Sequence, residues 1–354
     1  MEKEIVIRLA TPSDTEAINS FYNNVYKSDR DNLKFNWEFN SSPAGPSIYV
    51  IAELEKRIVG TQCIIPYNMI TSDNKTILSG KSEDTLVAQD QRGKKIFEKM
   101  YALLIEECKK KKIECIWGFT YATKPFFRLG FTVPFKSSMG LMVLNSANAE
   151  KYLSSRSSKN SALDKLKIKG LSYFSKLKGL TLLPNSSVAL EVDAQVDALI
   201  TSNFNYLTQQ GTFGLKLDKE FMDYRISTNP YSSNYYEVRS REANGLKFSM
   251  VYHVSNDNVG YIIHLYASAS LKSPELRKIL AQSIRQSDLA PCDLIRFWGF
   301  DHNPQNATEI KLLKSIGFTF IKRGISFVWL NLSKESGLDP SNFVISRMAS
   351  QGTD

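Results

Sequence analysis

The chain has 354 residues, 42% of them hydrophobic, with 45 Lys and Arg against 36 Asp and Glu for a formal net charge of +9. That length predicts two domains of ordinary size, each with its own buried core. No run approaches the ~18 to 20 apolar residues of a membrane span, and Met1 to Leu9 lacks the apolar core of a signal peptide, so a soluble, cytoplasmic protein is expected. Cys63, Cys108, Cys115 and Cys292 sit in apolar runs with no close CxxC pair and read as buried thiols. His253, His264 and His302 are too dispersed for a metal site, and His264, inside Tyr261-Ile262-Ile263-His264-Leu265, reads as a core residue.

Along the chain, the first signal is the aromatic stretch Phe35-Asn36-Trp37-Glu38-Phe39, which runs into a loop from Asn40 to Pro46. Ser82 to Val87 has a β pattern and leads into Ala88-Gln89-Asp90-Gln91-Arg92-Gly93-Lys94-Lys95-Ile96-Phe97. Ile96, Met100, Leu103, Leu104 and Cys108 then recur at three and four residues, while Glu98, Lys99, Glu106, Glu107 and Lys109 to Lys112 take the other face. This predicts a helix packed on a sheet. A strand that delivers a short basic turn to a helix start aims unpaired backbone N–H groups and the positive end of the dipole at one point, which suits a phosphate. Ile113 to Phe119 reads as an apolar strand, and Thr123 to Phe131 as a short helix closed by Gly130 in the C′ position.

Asn145 to Pro184 has the most distinctive composition. Residues 151 to 185 hold eight Lys and Arg against Asp164 alone, so most of the net charge lies there. Ser154 to Ser161 reads as a loop. Leu163, Leu166, Leu171, Phe174, Leu177 and Leu180 then recur at near-helical spacing, interrupted at Gly170 and Gly179. One reading is a basic helical linker laid against both domains. The other is a surface over 163–180 that meets anionic acceptors, either nucleotide-linked sugars or lipid-linked ones through peripheral membrane contact. Nucleic acid fits less well, because the aromatics fill the apolar face instead of an exposed stacking row.

The second half repeats the first. Met222-Asp223-Tyr224-Arg225-Ile226-Ser227-Thr228-Asn229-Pro230 keeps the aromatic-to-Pro spacing of Phe35 to Pro43. Farther on, Phe297-Trp298-Gly299-Phe300 echoes Ile116-Trp117-Gly118-Phe119, and Ile316-Gly317-Phe318 echoes Leu129-Gly130-Phe131. Such pairs in the same order imply a duplicated α/β domain. In the second copy, Tyr266 to Ser273 stands where the phosphate turn belongs, with one Lys and no Gly. This copy is expected to have lost cofactor binding and to shape the acceptor site or support the first by packing.

Strand, Arg-Gly-Lys turn, helix, strand and closing Leu-Gly-Phe together resemble the acyl-CoA-binding core of the GNAT acetyltransferases. Ile5 to Asp14 with the helical Thr15 to Tyr26 resembles that family's first strand and helix, and Val59-Gly60-Thr61-Gln62-Cys63 its central hairpin strand. The resemblance implies an α/β (α+β) fold of two tandem GNAT-like domains, each a mixed, mostly antiparallel sheet flanked by helices. The expected limits are 1–145 for the catalytic domain, 146–190 for the linker, 191–335 for the degenerate copy and 336–354 for a tail.

The resemblance also assigns roles. Arg92, Gly93, Lys94 and Lys95, with the helix start at Ile96, would hold the pyrophosphate of acetyl-CoA or another acyl-CoA. Leu86 and Val87 would offer backbone groups to the pantetheine arm. Glu83 or Asp84 would serve as base, directly or through water. Adjacent strand residues point to opposite faces, so only one of the two is expected to face the acceptor. Trp37 and Glu38 match the variable acceptor-side loop, although Trp37 reads equally well as a core anchor. Two departures stand out. Lys95 and Phe97 replace small residues of the family's turn, and Phe126 stands where many members place a general-acid Tyr. Tyr121 or water would then protonate the leaving thiolate.

The function expected is N-acyl transfer, from acetyl-CoA in the first instance, to a small-molecule amine without a metal. Amino sugars or sugar nucleotides for bacterial surface polysaccharide lead as acceptors. The alternatives are an aminoacyl-tRNA-dependent transferase of the peptidoglycan-bridge type and a non-catalytic acyl-CoA-binding scaffold.

Overall fold

The structure, a computed structural model, describes residues 4–155, 162–175, 184–196, 207, 210–231, 234–242, 245–268, 270–321, 324–333, 337–345 and 347–350. The chain forms two compact units. One holds Met1–Lys136, Gln210–Tyr231 and Ile325–Phe343, the other Ser137–Gln209, Ser232–Gly324 and Val344–Asp354.

In the first unit, β1 (Val6–Leu9) is followed by α1 (Thr15–Tyr26), α2 (Asn32–Phe39), β2 (Ile48–Leu54), β3 (Arg57–Thr71), β4 (Thr76–Val87), α3 (Ile96–Lys110), β5 (Cys115–Thr120) and α4 (Thr123–Arg128). The chain order is conventional up to this point, but the next strand, β6 (Ser138–Val143), belongs to the second unit's sheet. The place beside β5 is taken by β14 (Ser326–Asn331), giving a sheet of order β1-β2-β3-β4-β5-β14. Only β4 and β5 run parallel in that series.

The second sheet has the order β13-β6-β12-β11-β10-β9-β7. Its strands are β7 (Glu191–Gln195), β9 (Tyr235–Glu242), β10 (Gly245–Val254), β11 (Val259–Ala267), β12 (Leu294–Gly299) and β13 (Thr319–Ile321), with β6 between β12 and β13. Strands β11 and β12 form its parallel pair. The succession seen in the first sheet therefore recurs, and the fold is two tandem GNAT-like domains in which β6 and β14 are exchanged. Between β7 and β9 in the chain lie β8 (Phe213–Leu215), which pairs with β3, and α7 (Lys219–Met222).

Helix α3 explains the first core. Its buried face, Ile96, Met100, Tyr101, Leu104 and Cys108, packs with Ile48, Val50, Val59, Ile64 and Ile116. Glu98 in its first turn and Lys109 and Lys110 in its last complement the dipole. Helix α4 ends as its sequence predicts. Gly130 has φ +84, Phe131 N–H reaches Phe126 O at 3.2 Å and Gly130 N–H reaches Phe127 O at 3.1 Å. The counterpart helix, α9 (Pro304–Ser315), closes in the same way on Gly317, with φ +111 and Phe318 N–H on Leu313 O at 3.1 Å. Only glycine takes such a conformation without strain.

Of the basic segment, α5 (Ser146–Ser155) and α6 (Ala162–Ser175) are described. Helix α6 runs through Gly170 without the predicted interruption, since a single glycine costs a helix only about 1 kcal/mol. It buries Ile168, Ser172 and Ser175, while Lys169, Tyr173 and Phe174 face outward. Leu177, Gly179 and Leu180 lie outside the described residues, as do the side chains of Leu163 and Leu166.

Candidate active site

Two features of β4 build the site. The first is a bulge. Thr61 pairs with Leu86 and Cys63 with Glu83, so extra β4 residues stand opposite Gln62, and Asp84 takes φ +51. Register places Tyr49, Cys63 and Glu83 side by side, so they share one face of the sheet. The Tyr49 hydroxyl donates to Asp84, so Asp84 points to that face as well. The expectation that only one of Glu83 and Asp84 faces this side is overturned, because the bulge breaks the alternation on which it rested.

The two carboxylates differ in surroundings. The Asp84 side chain is 2% exposed and pairs with Arg30 Nη2 at 3.0 Å. Arg30 comes from the loop between α1 and α2, lies 3.7 Å above the Tyr22 ring, donates to Asn19 Oδ1 at 2.9 Å and reaches Glu38 at 3.5 Å. Burial pushes the Asp84 carboxyl up, against the pull of Arg30 and of the Tyr49 hydroxyl. Glu83 is 34% exposed and pairs with Lys81, whose side chain is wholly buried. Burial pushes the Lys81 ammonium down and Glu83 pulls it back. Of the two candidate bases, Glu83 is the one that meets solvent.

Glu38 joins the same surface. It accepts from the Tyr231 hydroxyl, and burial pushes its carboxyl up. Trp37 is 3% exposed, with its indole N–H on Tyr224 O at 2.7 Å and its ring 5.8 Å from that of Tyr231. It supports the tyrosine that holds Glu38. Tyr22 rounds off this side, pushed up to about 12 by burial.

The second feature is a parting of strands. Strands β4 and β5 pair from Ser79↔Cys115 to Ser82↔Gly118, after which β4 continues to Val87 against β3 and β5 to Thr120 against β14. Among the described residues, no strand pairs with the β5-facing backbone of residues 83–87. Ala88 N–H donates to Val59 O at 2.8 Å, so by alternation Leu86 turns its polar groups toward β3 and Val87 turns its own into the opening. Arg92 Nε reaches Val87 O at 3.4 Å.

At the mouth of this opening lies the basic turn. Gly93 has φ +86 and Lys95 φ +57, and Arg92, Gly93, Lys94 and Lys95 are all exposed. Lys99 N–H bonds Lys95 O at 3.0 Å, which leaves the N–H groups of Ile96, Phe97 and Glu98, the first turn of α3, without a partner within the helix. The Ile96 side chain is buried, so only its backbone serves the turn. A Cβ added to Gly93 would meet nothing within 4 Å. Orphan N–H groups, three cations and open space fit the diphosphate of an acyl-CoA, and the parted strands fit its extended arm.

On the α3 side, Phe97 and Phe126 meet edge to face at 5.3 Å, and Phe126 packs against Tyr101 at 5.6 Å and Phe131 at 5.2 Å. Two of the three positions that depart from the family pattern, Phe97 and Phe126, are thus neighbours in one aromatic cluster. Tyr121 stands at the end of β5 and is 85% exposed.

Comparison with known proteins agrees with this geometry. Residues 6–133 match the family model described as an acetyltransferase (GNAT) domain. This segment is similar to a GNAT domain. Solved structures similar to the chain share its fold at low identity. One is a probable N-acyltransferase from Enterococcus faecalis V583, with TM-score 0.65 and 8% identity over 93% of this chain and 73% of that one. Another is a GCN5-related N-acetyltransferase from Anabaena variabilis ATCC 29413, with TM-score 0.63 and 10% identity over the same shares of the two chains. A third, a GCN5-related N-acetyltransferase from Kribbella flavida, has TM-score 0.59 and 10% identity over 92% of this chain and 71% of that one. No curated protein matches the sequence. GNAT proteins transfer acyl groups from acyl-CoA to amines, and the first unit carries that fold. Among the described residues no helix is long and apolar enough to cross a membrane, and no group of three or more His, Cys, Asp and Glu could hold a metal ion.

Sequence reasoning missed Arg30, Tyr49, Lys81 and Tyr231. Arg30 sits in Asp29-Arg30-Asp31, which reads as a solvated loop. Lys81 had a usable signal, a lone cation in a buried strand.

Proposed function

We propose that this protein is an acyl-CoA-dependent N-acyltransferase, in the first instance an N-acetyltransferase, with one working site in the first unit. The observation that carries the reading is the opening between β4 and β5, with the basic turn at its mouth and Glu83 on the adjoining face. Arg92, Lys94, Lys95 and the first turn of α3 hold the pyrophosphate, and Val87 meets the pantetheine arm. Glu83 takes the proton of the attacking amine, directly or through water. Asp84, committed to Arg30, fixes the bulge whose backbone faces the developing oxyanion. Glu38, held by Tyr231, draws the amine toward the thioester.

The acceptor we propose is the amine of an amino sugar, free or nucleotide-linked, used for surface polysaccharide. The basic composition of 151–185 supports it, with Lys169 outward on α6. The second unit has no working acyl-CoA site in this reading. Its helix α8 (Ser273–Gln286) starts from an extended Lys272 with Pro274 in its first turn, so it lacks the left-handed turn and one orphan N–H.

Thiol release from acetyl-CoA, measured across amines, amino sugars and nucleotide-linked amino sugars, tests the reading. Glu83→Gln is expected to lower kcat by about 10²-fold or more. Turnover of a preferred amine that is unchanged in Glu83→Gln removes Glu83 from the mechanism, and no turnover with any amine despite tight CoA binding favours a scaffold.

A further inference from the structure

Lys81 is a cation inside the first unit, and neither the phosphate nor the acceptor chemistry above uses it. It lies in the middle of β4, opposite Ile65 on β3 and Trp117 on β5, in a ladder that runs unbroken through Ser82 to Glu83. Lys81 and Glu83 therefore stand on the same side of the strand, two residues apart and just ahead of the bulge. The Lys81 side chain is wholly buried, so its ammonium has no access to water. Its one ion pair among the described residues is with Glu83 Oε1.

The surroundings tie the two side chains together. Burial pushes the Lys81 ammonium down, Glu83 pulls it back up, and the charge of Arg225 adds to the push. A buried cation is costly without a carboxylate beside it, so Lys81 depends on Glu83. The dependence also fixes the carboxylate, because Oε1 is committed. Oε2 has no partner among the described residues and the side chain is 34% exposed, so Oε2 is the oxygen open to a ligand. Asp84, the next residue, shows the opposite outcome. Its Oδ2 is held by Arg30 and Tyr49 and its Oδ1 is buried, so neither oxygen is open.

We propose that Lys81 is the positioning residue of the base: it holds Glu83 by Oε1 and so presents Oε2 to the attacking amine. This rests on the acyl-CoA reading above, in which Glu83 receives the proton of the amine. A free glutamate side chain turns about several bonds, and that freedom moves its carboxylate by more than the ~0.5 Å a productive geometry tolerates. An anchor removes the freedom only if it is itself fixed. Lys81 meets that condition, because a wholly buried stem has no room to swing. Lys81 keeps its own protons in this role and acts on the substrate only through Glu83.

Lys81→Met keeps most of the stem and removes the ammonium. Thiol release from acetyl-CoA is measured in the full chain, with the amine that turns over fastest, for the wild type, Lys81→Met, Glu83→Gln and the double variant. Lys81→Met is expected to lower kcat by about tenfold or more with the KM for acetyl-CoA unchanged, since the turn at Arg92 is untouched. In the Glu83→Gln background the same substitution is expected to leave kcat unaltered, because no base remains to be positioned. An unchanged kcat in Lys81→Met, or the same fold-loss in both backgrounds, assigns Lys81 to packing alone and overturns the proposal while the acyl-CoA reading stands. An unchanged kcat in Glu83→Gln, or no turnover with any amine, overturns the base on which the proposal rests and the proposal with it. Lys81→Leu, apolar and of similar volume, keeps the test available if Lys81→Met fails to fold.

Discussion

Replacing Arg30 by Met is the sharpest test of how the acceptor face is built. Arg30 and Asp84 are each 2% exposed in their side chains and meet at 3.0 Å, and the guanidinium also rests on Tyr22. Removing the cation strands a buried carboxylate with the Tyr49 hydroxyl as its remaining donor. Breaking a buried pair from one side costs about 3–5 kcal/mol, several times the ~0–1 kcal/mol of an exposed pair. Replacing both partners by groups of similar shape costs far less, so Arg30→Met/Asp84→Asn should recover more than half of the loss. Urea unfolding followed by tryptophan fluorescence reads this unit selectively, since Trp37, Trp117 and Trp329 lie in it and only Trp298 in the other. The two units need separate transitions, not one two-state fit. A single-variant loss under about 1 kcal/mol, or no recovery in the double variant, would refute the reasoning.

Two further outcomes follow from local geometry. Gly93→Ala should cost about 1 kcal/mol of stability through its left-handed φ and weaken acetyl-CoA binding more than that, which paired unfolding and calorimetry would separate. In the second unit, burial pushes the His264 imidazole down to about 4. A depressed folded value means folding favours the neutral ring, so its stability is present above the unfolded value of ~6.5 and is lost as pH falls toward about 4. Hydrogen exchange of β11 amides should therefore lose its acid sensitivity across that window in His264→Gln, and an unaltered pH profile would contradict it.

What could be read from the sequence was local or periodic. The buried stripe of α3, the glycine closures at Gly130 and Gly317 and the paired Trp-Gly-Phe strands follow from spacing alone, and each is present. The relation of Glu83 to Asp84 was misread because strand alternation holds only for an unbroken ladder, and nothing in Ser82-Glu83-Asp84-Thr85 announces that Asp84 will take a positive φ. Partners far away in the chain were equally silent. Arg30 finds Asp84 across 54 residues and Tyr231 finds Glu38 across 193. The exchange of β6 and β14 has no signature either, since an apolar strand's pattern shows that it is buried but not in which sheet.

The account depends on an acyl-CoA lying between β4 and β5 with its pyrophosphate on the turn at Arg92 to Lys95. The most direct measurement is a calorimetric titration of the full chain with acetyl-CoA, repeated in Arg92→Glu, with thermal stability followed alongside. Saturable binding by the wild type that weakens at least about tenfold in Arg92→Glu, at unchanged stability, is what the account predicts, as reversing a charge against a phosphate demands. Equal affinity in the two proteins, or no binding to either, would contradict it.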